Sequence, residues 1–393
     1  MMRYCILLLL LFCCLLCGCQ MEIPPQSTPP TMESLPTQAT APALPETTVP
    51  TTIPPTTAPK HPVDELLESM SVEALVGQMF LARCPAANAA ADIAQYQLGG
   101  YILFGRDFTG QTPQSMLDTI SQYQAASSIP LFIAVDEEGG TVTRVSSQST
   151  FRSSRFQSPR QLFQAGGLEL VLETEAEKCQ LLSSIGVNVN LGPVCDITTD
   201  PGAFMYHRSI GLSTEDTCAF VTGMVETMRQ NKIGNVLKHF PGYGNNSDTH
   251  TGIAVDDNSL SRLEEENLQP FIAGIAAGCD AIMVSHTVIT AFDDMYPATL
   301  SPAVHSYLRN TMGFDGVIVT DDLVMQAVTD LYGDAEAAVL AVLAGNDLLC
   351  VSNYPTQYQA VLDAVHSGRI TIERLQDSVR RILLWKYNLG LLT

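Results

Sequence analysis

Short apolar runs alternate with longer amphipathic stretches from Val63 to the end of the chain. Apolar runs of about 4–8 residues between turn residues are typical of buried strands, whereas helices repeat their apolar positions every three or four residues. The pattern predicts strands over residues 77–82, 99–104, 131–136, 187–191, 234–239, 281–286, 316–321 and 347–351. It predicts helices over residues 112–126, 215–231, 262–277 (with Gly278 as C-cap), 356–366 and 372–389.

Strands that alternate with helices indicate a parallel sheet, because two parallel neighbouring strands must be joined by a long crossover, which is usually a helix. The runs are apolar on both faces, which is typical of a parallel sheet covered by helices. Eight such repeats within about 330 residues favour a closed barrel over an open doubly wound sheet. We therefore expect residues 63–393 to form one α/β domain, a single (β/α)8 barrel of the TIM type.

The first residues have the pattern of an export signal. Arg3 precedes an apolar run from Ile6 to Leu16 that is too short to span a membrane as a mature helix. The following L-C-G-C sequence resembles the bacterial lipobox, whose cysteine is acylated after cleavage. We expect residues 1–19 to be a lipoprotein signal peptide with Cys19 as the lipidation site, and the mature chain to be extracytoplasmic, held at the cell membrane by that lipid. An uncleaved apolar anchor is the alternative.

Residues 20–62 are rich in Pro, Thr, Ser and Ala, with the pairs Pro24-Pro25, Pro29-Pro30 and Pro54-Pro55. Proline removes backbone donors and interrupts helices, and such a composition buries too little apolar surface to offset the entropy of ordering. We expect this segment to be a disordered, extended linker between the membrane and the domain.

Composition and charge limit the classes of partner. The chain is 46% hydrophobic and 16% charged, which is typical of a globular protein with a large core. The formal net charge of -21 argues against nucleic acid as a ligand, because phosphates require a basic surface. We expect a monomer.

Cysteine spacing gives no sign of a metal site or a disulfide framework. The six cysteines beyond the signal lack C-x-x-C spacing, and several stand in apolar runs, as buried free thiols do; they are Cys84, Cys179, Cys195, Cys218, Cys279 and Cys350. The adjacent acids at 136–138 could suggest a metal, but no His/Asp cluster at ligand spacing accompanies them. We expect no metal and no organic cofactor.

Polar residues stand at the last positions of several predicted strands: Asp136, Lys238, His239, His286 and Asp321. The carboxyl ends of the strands form the active-site face of barrel enzymes. Any one of these residues alone could cap the next helix, but together they predict an active site at that end.

Two segments carry candidate chemistry. Asp321 ends the seventh predicted strand, and a carboxylate there could attack or stabilise an oxocarbenium-like centre, while Asp322 would cap the next helix or orient its neighbour. A Gly- and Pro-punctuated stretch follows the fifth strand and contains Asp248 and His250. Two residues apart, this pair could form a dyad in which the carboxylate orients the imidazole, or it could only stabilise the loop.

Several motifs occur in a fixed order: V-D-E-E-G-G-x-V-x-R, N-V-N-L-G-P-V-C-D-I, H-R-S-I, K-H-F-P-G-x-G with a later D-x-H, and G-F-D-G-V-I-V-T-D-D-L-x-M. From about Val63 to Leu392 the chain resembles glycoside hydrolase family 3, in its single-barrel β-N-acetylglucosaminidase (β-hexosaminidase) branch. The sequence departs from the family pattern at Glu137, where Gln is usual, and at Tyr243, where His is usual; neither is a catalytic position.

The resemblance implies roles for individual residues. Asp321 matches the family nucleophile, and His250 with Asp248 matches the acid/base dyad. The implied sugar-binding positions are Asp136, Arg144, Arg208, Lys238 and His239. The implied reaction is removal of terminal β-linked N-acetylglucosamine, from peptidoglycan fragments or chito-oligosaccharides, through a covalent glycosyl-Asp intermediate and without a cofactor.

Three other activities remain open from the sequence. The same fold could serve a β-glucosidase, or a phosphorylase that passes the glycosyl unit to phosphate, which a histidine acid/base would tolerate. A cell-surface lipoprotein that binds sugars without cleaving them is the alternative from another class. That last reading requires a defect in the nucleophile or in the dyad, and the sequence has neither.

Overall fold

Ten strands occur within residues 60–243 and 254–392, the part of the chain that the computed structural model describes. They are β1 (Phe80–Arg83), β2 (Gly100–Leu103), β3 (Phe132–Val135), β4 (Val189–Asn190), β5 (Gly234–Phe240), β6 (Val255–Asp256), β7 (Ala281–Val284), β8 (Val288–Ile289), β9 (Val317–Thr320) and β10 (Leu349–Val351). All described residues belong to one compact unit, Ala58–Thr393.

Eight of these strands form one parallel sheet in the order β10-β1-β2-β3-β4-β5-β7-β9. The two ends of the sheet meet at a parallel bridge between Val319 and Leu348. The Thr320 amide donates there to the Leu348 carbonyl at 3.1 Å. The result is the predicted eight-stranded α/β barrel, nearly closed. Strands β6 and β8 form a separate two-stranded ladder.

Thirteen helices are present in the same described ranges: α1 (Pro62–Glu68), α2 (Val72–Gln78), α3 (Ala89–Tyr96), α4 (Gly105–Phe108), α5 (Pro113–Ala125), α6 (Pro159–Ser184), α7 (Thr214–Gln230), α8 (Leu260–Arg262), α9 (Gln269–Ala276), α10 (Pro302–Ser306), α11 (Gln326–Ala344), α12 (Tyr354–His366) and α13 (Ile372–Asn388). Several begin at a side chain that accepts a hydrogen bond from the first turn. Thr112 caps α5, Ser213 caps α7 and Thr371 caps α13. These caps satisfy amides that have no partner within the helix.

Two predicted elements differ from the structure in the type or the continuity of the element, beyond small shifts at their ends. Residues 77 and 78 end helix α2, so the first strand begins at Phe80 rather than at Gly77. An apolar run is compatible with a buried helix as well as with a strand, and the cap at Ser71 decides for the helix. The predicted helix 262–277 contains a π-helical turn at Leu263–Asn267 and resumes as α9. Pro270 explains the break, since it cannot donate to a carbonyl one turn earlier.

The barrel interior is apolar along the strands and polar at their ends. Strands β2, β3, β5, β7, β9 and β10 consist entirely of buried residues. Near the amino ends of the strands, Trp385 of α13 packs on Phe132 with ring centroids 4.3 Å apart. The polar side chains of Asp136, Lys238, His239 and Asp321 stand at or just after the carboxyl ends of β3, β5 and β9, where the sequence predicted them.

The six cysteines of the barrel are free thiols, and five of them are buried. Within residues 60–243 and 254–392, no helix is long and apolar enough to cross a lipid bilayer. The predicted signal, Cys19 and most of the predicted linker lie outside the described residues.

Candidate active site

A cavity of about 560 Å³ opens at the carboxyl ends of the barrel strands. Its polar lining includes most of the residues that the sequence singled out: Asp136, Arg144, Arg208, Lys238, His239, Asp321 and Asp322. Its apolar lining includes Ile102, Phe104, Leu191, Phe204, Met283 and Met325. A larger depression of about 930 Å³ lies beside the start of β9, lined by Asp315, Gly316 and α13 residues. Because barrel chemistry occurs at the carboxyl ends, we assign the site to the smaller cavity.

Lys238, at the end of β5, joins two carboxylates. Its Nζ lies 2.7 Å from Asp136 Oδ1 and 2.7 Å from Glu138 Oε1. Burial alone would lower the pKa of Lys238, but Asp136 and Glu138 outweigh it and raise that pKa above the ordinary value. The side chain therefore remains an ammonium ion at the floor of the cavity.

Arg208 comes from the loop after β4 and lies against the same acids. It donates to Glu138 through Nε at 2.9 Å and Nη2 at 2.7 Å, and Nη2 lies 3.2 Å from His239 Nε2. Burial would raise the pKa of Glu138, but Arg208 and Lys238 hold it far below the ordinary range. Glu138 is thus an ionised, buried carboxylate that positions two cations.

Asp196 fixes the orientation of His239. Its Oδ2 lies 2.8 Å from His239 Nδ1 and accepts from the His239 amide at 3.2 Å. Its Oδ1 accepts from the Tyr243 amide at 2.6 Å. The Tyr243 ring packs edge-on against His239, with centroids 5.5 Å apart. The carboxylate selects the ring orientation in which His239 Nε2 is directed toward Arg208.

Asp321 follows β9 and lines the same cavity as Arg208 and Lys238. Its Oδ1 accepts from the Asp322 amide at 2.8 Å. Burial would raise the pKa of Asp321, but His286, His239, Lys238 and that amide outweigh it, so the pKa lies below the ordinary value. Asp321 is therefore an ionised carboxylate at neutral pH, as a nucleophile needs to be.

Asp322 does not cap the following helix, which corrects one of its two predicted roles. Helix α11 begins at Gln326, and its N-cap Met325 offers no side-chain acceptor. Asp322 instead accepts from the Ser352 hydroxyl at 2.7 Å and from the Val324 amide at 3.2 Å. Burial raises the pKa of Asp322. The pKa of Asp321 is thus lowered and that of its neighbour Asp322 is raised, which indicates that the two carboxyl groups have different functions.

Glu137, the acid between Asp136 and Glu138, does not line the cavity. It has no exposed surface. Its Oε2 accepts from the Arg144 and Val145 amides at 2.7 Å each, and Oε1 accepts from the Ser146 hydroxyl. Glu137 therefore shapes the loop that presents Arg144, whose Nη2 lies 3.6 Å from Asp136 Oδ2.

The structure brings all the predicted sugar-binding positions together with Asp321 in one cavity. Asp248 and His250, the predicted dyad, lie outside the described residues. Sequence reasoning assigned no role to Glu138 or Asp196, although both stand inside the quoted motifs. The sequence showed only that each of these carboxylates stands near a strand end, and that position does not reveal where the side chain points.

The cavity is suited to a neutral, hydroxyl-rich ligand. Its acids and bases are paired, so they offer hydrogen bonds without a large unbalanced charge, and its apolar wall can contact a ring face. Within the part of the chain that is described, no group of three or more His, Cys, Asp or Glu side chains could hold a metal ion.

The chain is similar to several known proteins. Residues 70–384 match the Glycosyl hydrolase family 3 N terminal domain. A beta-hexosaminidase of Hydrogenovibrio crunogenus is 33% identical over 292 residues, which are 71% of this chain and 79% of the relative. Beta-hexosaminidase A of Pseudoalteromonas piscicida is 28% identical over 325 residues, 76% of this chain, but this match spans only 54% of the relative.

A solved structure is similar over most of this chain. It is a glycoside hydrolase family 3 beta-N-acetylglucosaminidase from Paenibacillus sp. str. FPU-7, with a TM-score of 0.77 and 33% sequence identity. The match covers 82% of this chain and 63% of that protein.

Proposed function

Because this chain belongs to glycoside hydrolase family 3, we propose that it is a glycosidase that removes terminal β-linked N-acetylglucosamine with retention of configuration. The observation that carries the proposal is the position of Asp321. This ionised carboxylate lines the same cavity as Asp136, Arg144, Arg208, Lys238 and His239. The named activity of the relatives supports the choice of sugar.

In the proposed first step, an Asp321 oxygen attacks the anomeric carbon and forms a glycosyl ester. The bond to the leaving oxygen breaks, and protonated His250 gives that oxygen its proton. His250 is a suitable acid beside an anionic nucleophile, since its positive charge attracts the carboxylate where a second carboxylate would repel it. Asp248 orients the imidazole.

In the second step, neutral His250 takes a proton from water, whose oxygen attacks the anomeric carbon and releases Asp321. Two displacements at the same carbon leave the product with the β configuration. Asp136 accepts from a sugar hydroxyl, while Arg144, Arg208, Lys238 and His239 supply donors around it. No cofactor takes part.

The test compares Asp321→Asn with Asp315→Asn on an aryl β-N-acetylglucosaminide. Asp315 is exposed and precedes the same strand at its other end. We expect Asp321→Asn to lose at least about 10³-fold in kcat, because an amide does not attack, with thermal unfolding unchanged. Asp315→Asn should keep full activity. Near-normal turnover by Asp321→Asn would remove that residue from the nucleophile's role.

Donor specificity and the acceptor need separate measurements. A panel of aryl β-glycosides should show selective cleavage of the N-acetylglucosaminide, and preferential cleavage of the glucoside would identify a β-glucosidase instead. Turnover that requires inorganic phosphate and yields a sugar phosphate would identify a phosphorylase.

We also propose that the enzyme works at the cell surface on peptidoglycan fragments, attached through a lipid on Cys19. Wild-type protein should partition into the detergent phase of a membrane extract, and Cys19→Ala should leave that phase. Cys84→Ala, which changes a buried thiol of the barrel, is the matched control. Wild-type protein in the aqueous phase would contradict the anchor.

A further inference from the structure

His286 is a fully buried imidazole immediately behind the cavity. It follows β7, has no exposed surface, and does not line the cavity. Its Nδ1 lies 2.8 Å from Thr299 Oγ1, and its Nε2 lies 3.1 Å from the backbone carbonyl oxygen of Asp322. The second contact joins the ring directly to the segment that carries Asp321.

The two ring contacts of His286 indicate where its ring nitrogens carry protons. A carbonyl oxygen only accepts, so the contact with Asp322 requires a proton on Nε2. The Thr299 hydroxyl has one proton, and its Oγ1 lies 2.6 Å from the Ser285 carbonyl and 3.1 Å from the Val284 carbonyl. With that proton donated to a carbonyl, Oγ1 accepts from Nδ1. In that arrangement both ring nitrogens carry protons, which is the arrangement of an imidazolium ion.

The surrounding charges can accommodate a buried cation. The carboxylates of Asp321 and Asp322 follow β9, and the Lys238 ammonium and His239 lie at the end of β5. Burial raises the pKa of the Cys350 thiol, which stays neutral. Among the charged neighbours that oppose the effect of burial on the pKa of Asp321, His286 has the largest influence.

We propose that His286 is a positioning residue that stays protonated throughout the working pH range, keeping Asp321 ionised and holding the backbone at Asp322. This inference rests on the proposed role of Asp321 as nucleophile. His286 acts through Asp321 and has no contact with the sugar.

Another buried histidine of the barrel shows the contrast. His305 is also buried, and its Nδ1 lies 2.8 Å from the Ser301 carbonyl, but its Nε2 has no partner among the described residues. Burial lowers the pKa of His305. One protonated nitrogen suffices there, so His305 is a neutral internal reference.

The first experiment measures the pH profile of kcat/KM for wild type, His286→Gln, Thr299→Val and Thr299→Ser. The acid limb of this profile reports ionisation of the free enzyme's nucleophile. Glutamine can donate to the Asp322 carbonyl but carries no charge, so the limb should move up by about one pH unit or more. Thr299→Val removes the hydroxyl that accepts from His286 Nδ1, and it should also move the acid limb to higher pH. Thr299→Ser keeps the hydroxyl and should restore the wild-type limb.

Two results would overturn the inference. One is a His286→Gln variant that folds with lower kcat but an unmoved acid limb, because a purely structural imidazole predicts that outcome. The other comes from nitrogen-15 NMR of histidine-labelled protein, assigned with His286→Gln and His305→Gln. His286 should show two protonated ring nitrogens from pH 5 to 8, and His305 one. The NMR result does not depend on turnover, so it tests the protonation of His286 even if the proposed glycosidase activity is wrong.

Discussion

Arg208 and Glu138 form a two-point ion pair, Nε to Oε2 at 2.9 Å and Nη2 to Oε1 at 2.7 Å. The contact joins the loop after β4 to the end of β3. Glu138 Oε1 also lies 2.7 Å from Lys238 Nζ. One buried carboxylate therefore sets the positions of two cations that line the cavity, and replacing it should affect folding and substrate binding together.

Glu138→Gln should lower the free energy of unfolding by about 3–5 kcal/mol at pH 7, because it removes the carboxylate that pairs with Arg208 at two points and with Lys238. The folded-state pKa of Glu138 lies below its ordinary value of 4.5. Its contribution is therefore complete above that value and is lost as pH falls through the folded-state pKa. Urea unfolding at several pH values should show that the difference in free energy of unfolding between wild type and Glu138→Gln becomes smaller in acid. A difference in free energy of unfolding that does not change with pH would contradict the conclusion that Glu138 is ionised in the folded protein. Exposed Glu226→Gln is the control.

Asp196→Asn should lower kcat/KM by at least about tenfold, since His239 loses a charged acceptor and its fixed ring orientation. The amide keeps the size of the side chain, so the melting temperature should fall far less than on removal of the whole group. Asp200→Asn, in the exposed part of the same loop, is the matched control. Equal kinetics for Asp196→Asn and wild type would show that His239 needs no orienting carboxylate.

Glu137→Gln should raise KM more than it lowers kcat. The carboxylate accepts from three consecutive backbone amides at residues 144, 145 and 146, whereas an amide side chain turns two donor hydrogens toward them. The loop that presents Arg144 should loosen, and sugar binding should weaken. Steady-state kinetics with an aryl substrate measure both constants. A fall in kcat at constant KM would instead place Glu137 in control of the chemical step.

Lys386→Met should stabilise the domain, most strongly at low pH. Lys386 is fully buried, donates to Gln78 Oε1 at 2.7 Å, and has its pKa lowered to about 7 by burial. Between that value and the ordinary 10.5, the unfolded chain binds more protons, so wild-type stability rises with pH. The melting-temperature gain of the variant should shrink over the same interval. The exposed Lys232→Met provides the control, and a pH-independent gain would contradict the prediction.

The sequence predicted the barrel because its strand runs are apolar on both faces, a pattern typical of a parallel sheet covered by helices. It also placed the site, since Asp136, Lys238, His239 and Asp321 each end such a run and parallel strands bring those ends to one face. It misjudged residues 77–78 and the continuity of 262–277, where an apolar run alone does not distinguish helix from strand or reveal a π-turn.

Only the tertiary structure decided which acids face the ligand. Adjacent residues on a strand end point in different directions, and the loops that follow add contacts from distant segments. Glu137 thus binds loop amides, Glu138 binds Arg208 from 70 positions away, and Asp322 binds Ser352. The sequence by itself determined the strand order and the residue types at the rim. Long-range packing determined the partners, because a carboxylate's charge state and task depend on the cations and amides that folding brings next to it.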